Sequence, residues 1–198
     1  MEDQKQNIDT QNTLYRGKTI RTYTGQYVDV FDPKPETITL IDLGIGQAYE
    51  NRWSNQNRVH YSVAQHACMV HDMLPDWMQR QSIFHDSSEG ILGDLARPIK
   101  KCMPEFEKIE NQLMEVIAKK YRFDWPKYPE VDLVDKAFMS LEHAAFMLSK
   151  NPSIMEPWTA EKALFEWLRR AINSLDSHPN IDDKTLPEIL ENTSIQKL

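Results

Sequence analysis

The chain has 198 residues, 40% of them hydrophobic and 27% charged, with a formal net charge of −7. These values exclude wholesale disorder and a bilayer-embedded chain, and the acidic balance argues against a broad nucleic-acid-binding face, which needs clustered Lys and Arg. No run approaches the ~18 consecutive apolar residues of a spanning helix, and the polar first residues lack the charged-then-apolar order of an export signal, so a cytoplasmic protein without membrane contact is expected.

The length fits one domain with trimmings: a polar arm over 1–17, a folded domain over 18–175, and a proline-punctuated tail over 176–198 with one short helix near Leu186 to Leu190. Cys68 and Cys102 form no CxxC pair and read as reduced packing residues. After the arm, β-formers on both sides of Thr24-Gly25 predict a short hairpin, ended by Asp32-Pro-Lys-Pro35. From Thr39, Leu40, Leu43 and Ala48 predict a helix weakened by Gly44 and Gly46 and running into Asn51-Arg52-Trp53, followed by a polar loop over Ser54 to Val59.

Ser62-Val-Ala-Gln65 matches a capping box, so a helix starts at Ser62 and stops before Pro75. Trp77, Met78, Ile83 and Phe84 mark another, with His85 and Asp86 at its C-terminal end; Ser87 to Asp94 reads as a helix end or tight loop, and Pro98 halts any continuation. Pro104 opens a helix with the stripe Phe106, Ile109, Leu113, Ile117, Tyr121. Two more stripes follow, Val131, Val134, Phe138, Leu141, Ala145, Leu148 and Ala163, Leu164, Trp167, Leu168, Ala171, Leu175. The predicted fold is all-α, a helical bundle with a small N-terminal β-hairpin.

An isolated His-Asp pair is usually a surface or capping arrangement. His66, just after a capped helix start, and Asp135, on the buried edge of an apolar stripe, change its weight. A carboxylate facing a core needs a compensating cation or hydrogen bonds. Two imidazoles and two carboxylates suit a borderline or hard divalent ion with coordination positions left for water. Each residue also has a plainer reading: His66 as a partly buried helix histidine, Asp135 as a helix N-terminal charge favoured by the dipole.

His66, then His85-Asp86, then Asp135, in that order on successive helices, resembles the HD-domain phosphohydrolase superfamily. Tyr61-Ser-Val-Ala-Gln-His66 is similar to the family's first-ligand segment, which usually ends Ala-Glu-His, with Gln65 as a departure. His85-Asp-Ser-Ser-Glu-Gly-Ile-Leu-Gly-Asp94 followed by Arg97-Pro-Ile-Lys100 resembles a narrower branch, the phage-type deoxynucleoside (dATP) triphosphohydrolases and bacterial 5'-deoxynucleotidases. The resemblance covers roughly residues 20–150. It implies an HD-domain helical bundle and a metal-dependent phosphohydrolase of 2'-deoxynucleotides, with a dATP-like triphosphate as the leading substrate, a 5'-deoxynucleotidase acting on dNMPs as the alternative, and a non-catalytic regulatory HD domain as the second alternative.

Residue by residue, the resemblance implies His66, His85, Asp86 and Asp135 as metal ligands, Glu89 and Asp94 in acid/base positions, Arg52 and Lys100 as phosphate contacts with Arg58 as a further one, and Trp53 and Pro98 lining the nucleoside pocket. The implied cofactor is one divalent ion, Co, Mn, Zn or Fe with Mg as an alternative, joined by further ions when the substrate is a triphosphate. The flat face of Trp53 would leave a 2'-hydroxyl without a partner and so exclude ribose, although the same residue could be a plain core aromatic. Glu142, His143, His71 and His60 read as structural. The implied partners are a small deoxynucleotide and further copies of the chain in a homo-oligomer, without nucleic acid or membrane; a phage origin would place it in the host cytoplasm.

Overall fold

Thr24 and Gly25 turn the chain between two antiparallel strands, β1 (Thr19–Arg21) and β2 (Tyr27–Asp29), with Ile20 paired to Val28. The structure, a computed structural model, describes residues 17–148 and 155–175, so the expected arm, but for Gly17, and the expected helix near Leu186 to Leu190 lie outside the described residues. The hairpin is anchored at its turn, where the Thr24 N–H and hydroxyl donate to the Asp42 carboxylate at 2.8 and 2.6 Å. Asp42 lies in the first turn of α1 (Leu40–Tyr49), whose N-cap Thr39 accepts from the Asp42 N–H at 3.1 Å.

The first helix stops at Tyr49, short of the predicted Asn51-Arg52-Trp53, because Glu50 already has extended backbone. Its glycines are packing positions. A Cβ on Gly46 would sit 1.7 Å from the Gly90 carbonyl oxygen, and one on Gly90 would sit 2.7 Å from that of Leu43. The backbone of α1 therefore rests directly on α4 (Glu89–Leu92), an approach only glycine permits.

Ser62 caps α2 (Val63–Asp72) by accepting from the Gln65 N–H, but the reciprocal half of the box is missing. The Gln65 amide instead donates to the Glu156 carbonyl at 2.8 Å and accepts from the Trp158 N–H at 2.9 Å. A glutamate could not make both bonds, which gives the glutamine at this position a packing reason. Helix α3 (Asp76–Phe84) ends with His85 as its C-cap. Pro98 does not halt a helix; it lies in the first turn of α5 (Arg97–Lys100), where a missing N–H costs nothing.

Helix α6 (Pro104–Tyr121) buries Leu113, Ile117 and Tyr121, while Phe106 and Ile109 are only half-buried at its peripheral end. Helix α7 (Pro129–Glu142) departs from the expected stripe: Leu141 and Leu148 are 50% and 69% exposed, whereas Glu142 is 0% exposed. The helix buries Val131, Asp135 and Glu142 because cations wait for the two carboxylates, a compensation that apolar periodicity cannot register. Past Glu142 the ladder widens into a π-helical turn, His143–Leu148, which sets Ala145 and Phe146 against Tyr61.

The last helix, α8 (Ala160–Leu175), buries its entire predicted stripe against α1, α2 and α3. Trp167 donates its indole N–H to the Ile83 carbonyl at 3.0 Å and meets the edge of Phe84, which stacks on Tyr121. Each fully buried large apolar side chain here contributes ~1.5–3 kcal/mol. Cys68 belongs to this core as expected; Cys102 is exposed just beyond α5 and packs nothing comparable. No helix among the described residues is long and apolar enough to cross a membrane.

Candidate metal centre

Two helices and one helix end bring His66, His85, Asp86 and Asp135 together. Each offers one donor atom, and the four atoms lie within 4.8 Å of one another. His66 comes from the middle of α2, His85 and Asp86 from the point where α3 ends, and Asp135 from α7. Consecutive residues can both face one point there because the helix ends at Phe84 and both lie in the turn over 85–88. Asp135 lies beyond the first turn of its helix, so the dipole does not explain its burial, and His66 is fully buried.

The imidazoles are held by their far nitrogens. His85 Nδ1 donates to the Ser82 carbonyl at 2.6 Å, and His66 Nδ1 meets Glu142 Oε1 at 2.5 Å. Both Nε2 atoms are thereby aimed into the cluster. His66 Nε2 lies 3.2 Å from Asp135 Oδ1 and 3.7 Å from Asp86 Oδ2, and His85 Nε2 lies 3.2 Å from Asp86 Oδ2. None of these approaches has hydrogen-bonding alignment, and both Nε2 atoms are buried without a hydrogen-bond partner. Orphaned ring nitrogens beside carboxylate oxygens are what a divalent ion would satisfy.

Burial and the Arg52 charge both disfavour a charged His66, but the carboxylates of Glu142 and Asp135 outweigh them and raise it to about 9. Asp86 resists burial because His85, Lys127 and His66 hold it well below the usual carboxylate range. Glu89 goes the other way: its own burial and the charges of Asp86 and Asp94 push it well above the ordinary glutamate value, with Arg52 and Lys100 only partly opposing them. Its Oε2 is buried and unpartnered. Asp94 is raised by burial and by Asp86, while its carboxylate accepts from the Trp53 N–H.

Arg52 is buried, donating from Nε to Glu142 at 3.1 Å and approaching Asp86 with Nη1 at 3.5 Å. Lys100 lies 2.7 Å from Glu110 and 3.8 Å from Glu89. Trp53 is half-buried, tilted against the ring of His143 at 5.3 Å, and opens a turn in which Trp53, Ser54 and Asn55 all take positive φ. With Pro98, these groups border a cavity of about 620 Å³, within the range of small-molecule sites. Arg58 is exposed and does not line that cavity.

Two participants escape sequence reading. Glu142 is not a bystander: its carboxylate takes the His66 ring, the Arg52 guanidinium and the Tyr61 hydroxyl, the last at 3.0 Å. Its position seven residues after Asp135 puts the two on one helical face, a signal that could have found it. Lys127, 2.6 Å from Asp135 Oδ2, comes from a loop and has no periodic signature. His60, on the Ala48 carbonyl, and His71, on Asp72, keep the structural roles expected of them.

No family model matches the chain. Similarity extends to an uncharacterized Escherichia coli protein, YfdR, at 26% identity over 102 residues, covering 52% of this chain and 57% of that one. An uncharacterized Rhodobacter capsulatus protein, RCAP_rcc00048, is also 26% identical over 107 residues, covering 49% of this chain and 55% of the relative. The chain thus spans about half the length of the curated relatives it matches.

Proposed function

We propose that this chain is a metal-dependent phosphohydrolase of 2'-deoxynucleotides of the HD-domain type, acting by preference on a deoxynucleoside triphosphate such as dATP. The observation that carries the reading is the convergence of His66, His85, Asp86 and Asp135 with both Nε2 atoms buried and unpartnered. These four residues would hold one divalent ion, Mn, Co, Zn, Fe or Mg, which when bound polarises a phosphoryl oxygen and acidifies water.

The remaining groups fall into roles set by charge. Glu89, whose carboxyl is pushed well above the ordinary glutamate value by burial and by two neighbouring carboxylates, can release a proton to a departing oxygen and then, as the carboxylate, take one from the attacking water. Arg52 and Lys100 meet charge on the phosphate oxygens, and Asp94 holds the turn that bears Trp53. Against Trp53 and Pro98 a deoxyribose is accommodated, while a 2'-hydroxyl finds no partner. A purely structural ion would not require an unpartnered carboxyl such as Glu89 beside it, which argues against a non-catalytic HD domain.

The polyphosphate reading draws on Arg52, Arg97, Lys100, Lys127 and Lys136, which line the cavity alongside Asp86, Glu89, Asp94, Asp132 and Asp135. The monophosphate alternative draws on a different observation: Arg52 and Lys100 are already paired with Glu142 and Glu110. Both readings belong to a cytoplasmic homo-oligomer. Purified protein supplied with Mn, Co, Zn or Mg is offered dNTPs, dNMPs and ribonucleotides, and the products are separated by chromatography. Expected is metal-dependent release of deoxynucleoside and tripolyphosphate, lost in Asp86→Ala. Turnover of dNMPs alone selects the 5'-deoxynucleotidase, and no hydrolysis with any metal overturns both.

A further inference from the structure

Lys127 stands in the cavity wall, and its pair with Asp135 accounts for only part of its donor capacity. It lies in the loop before α7, lines the cavity beside Asp86 and Asp135, and is largely buried, its side chain 24% exposed. The two oxygens of Asp135 are divided between neighbours: Oδ1 faces His66 Nε2 at 3.2 Å, and Oδ2 takes Lys127 Nζ at 2.6 Å. An ammonium carries three donors. Asp135 uses one, and the next carboxylate among the described residues, Asp132, is 4.0 Å away, beyond hydrogen-bonding reach. At least one N–H of Lys127 is therefore available to a ligand in the cavity.

Charge identifies that ligand. Without an ion, Lys127 neutralises part of the negative cluster formed by Asp86 and Asp135. A divalent ion held by the same two carboxylates would take over that neutralisation, leaving the part-buried ammonium, with Asp132 only at 4.0 Å, free to attract a further anion. Resting on the hydrolase reading above, we propose that Lys127 is a phosphate-binding residue, joining one phosphoryl oxygen of the substrate to the Asp135 side of the metal cluster. Arg52 after α1, Lys100 in α5 and Lys127 before α7 would then grip the phosphate from three separate elements.

The test compares wild type with Lys127→Met, and with Lys127→Gln beside it so that a misfolded methionine variant leaves a usable comparison. Calorimetry first measures Mn²⁺ alone, then inorganic phosphate and tripolyphosphate added to protein saturated with Mn²⁺. Expected are an Mn²⁺ affinity equal to or above that of wild type and phosphate binding weaker by about tenfold to a hundredfold, the loss of one charge-assisted hydrogen bond. The Michaelis constant for the hydrolysed deoxynucleotide rises by a similar factor, and Lys127→Arg restores most of the binding. Unchanged phosphate affinity at saturating Mn²⁺ overturns the inference and leaves the hydrolase reading intact, making Lys127 only a strut for Asp135. A wild-type protein that takes up none of Mn²⁺, Co²⁺, Zn²⁺, Fe²⁺ or Mg²⁺ overturns both.

Discussion

Replacing Glu142 by glutamine tests the arrangement behind the metal cluster without touching a ligand. The carboxylate is fully buried and is the strongest support for a charged His66, acting both through its field and through the 2.5 Å contact to Nδ1. In the metal-free wild type the folded value is raised from 6.5 to about 9. At ~1.4 kcal/mol per pH unit that rise is worth about 3 kcal/mol of folding free energy. The sign follows from the direction. A group raised on folding stabilises fully below its unfolded value, and this contribution is lost as pH climbs through the folded one. Metal-free wild type should therefore lose about 3 kcal/mol between pH 6.5 and 9, or about 6–12 °C in Tm at ~2–4 °C per kcal/mol for a chain of this size. In Glu142→Gln the Asp135 contact and the Asp86 charge still favour protonation, against burial and Arg52. The pH-dependent loss should shrink to less than half, on top of a pH-independent cost from the weakened Arg52 pair. Thermal melts of both proteins in chelator across this interval decide the matter, and the difference between the profiles cancels titrations they share. A variant that loses stability as steeply as wild type refutes the claim that Glu142 sets the protonation of His66.

Glu89→Gln should reduce hydrolysis by about 10²–10⁴-fold while calorimetry shows Mn²⁺ binding retained, since the residue handles protons without ligating. The same variant should be more stable than wild type at neutral pH and indistinguishable near pH 4. The folded carboxyl is raised by burial and by Asp86 and Asp94, so wild type loses stability as pH rises past the unfolded glutamate value, whereas the amide has nothing to titrate. Gly46→Ala should destabilise by ~1–3 kcal/mol in urea unfolding, because the added Cβ at 1.7 Å from the Gly90 oxygen must push α1 and α4 apart. That displacement carries Glu89 with it, so activity should fall even at temperatures where the variant is folded; full activity would show that the helix crossing does not position the acid.

What the sequence made legible was apolar repetition and local chemistry. The stripe from Ala163 to Leu175, the Ser62 cap and the turn at Thr24-Gly25 each depend on neighbours within a few positions, and each appears as expected. The four proposed ligands also come together, although 69 residues separate His66 from Asp135. What stayed hidden was long-range compensation. Glu142 lies outside the apolar stripe and reads as structural from sequence, but Arg52, Tyr61 and His66 make its burial tolerable beside the cluster. Gly44 and Gly46 read as weak points in a helix because a local propensity cannot anticipate the Leu164, Trp167 and Leu168 side chains closing on the first or the Gly90 backbone arriving at the second. Pro98 read as a stop when it is a start, an ambiguity of proline near any helix end.

The left-handed turn at Trp53, Ser54 and Asn55 has a consequence for how this protein can change. Three successive non-glycine residues in that region are disfavoured by ~1–2 kcal/mol apiece and persist only while their ends are tied down. The ties are the Trp53 N–H on Asp94 and, one residue earlier, the Arg52 guanidinium on Glu142. Glu142 also steadies His66, so whatever loosens the Trp53 rim disturbs the His66 interior through the same side chain. On the hydrolase reading proposed above, discrimination among nucleosides and competence for chemistry would be inherited together, and drift toward a new substrate should begin at the outer lysines and arginines rather than at the tryptophan.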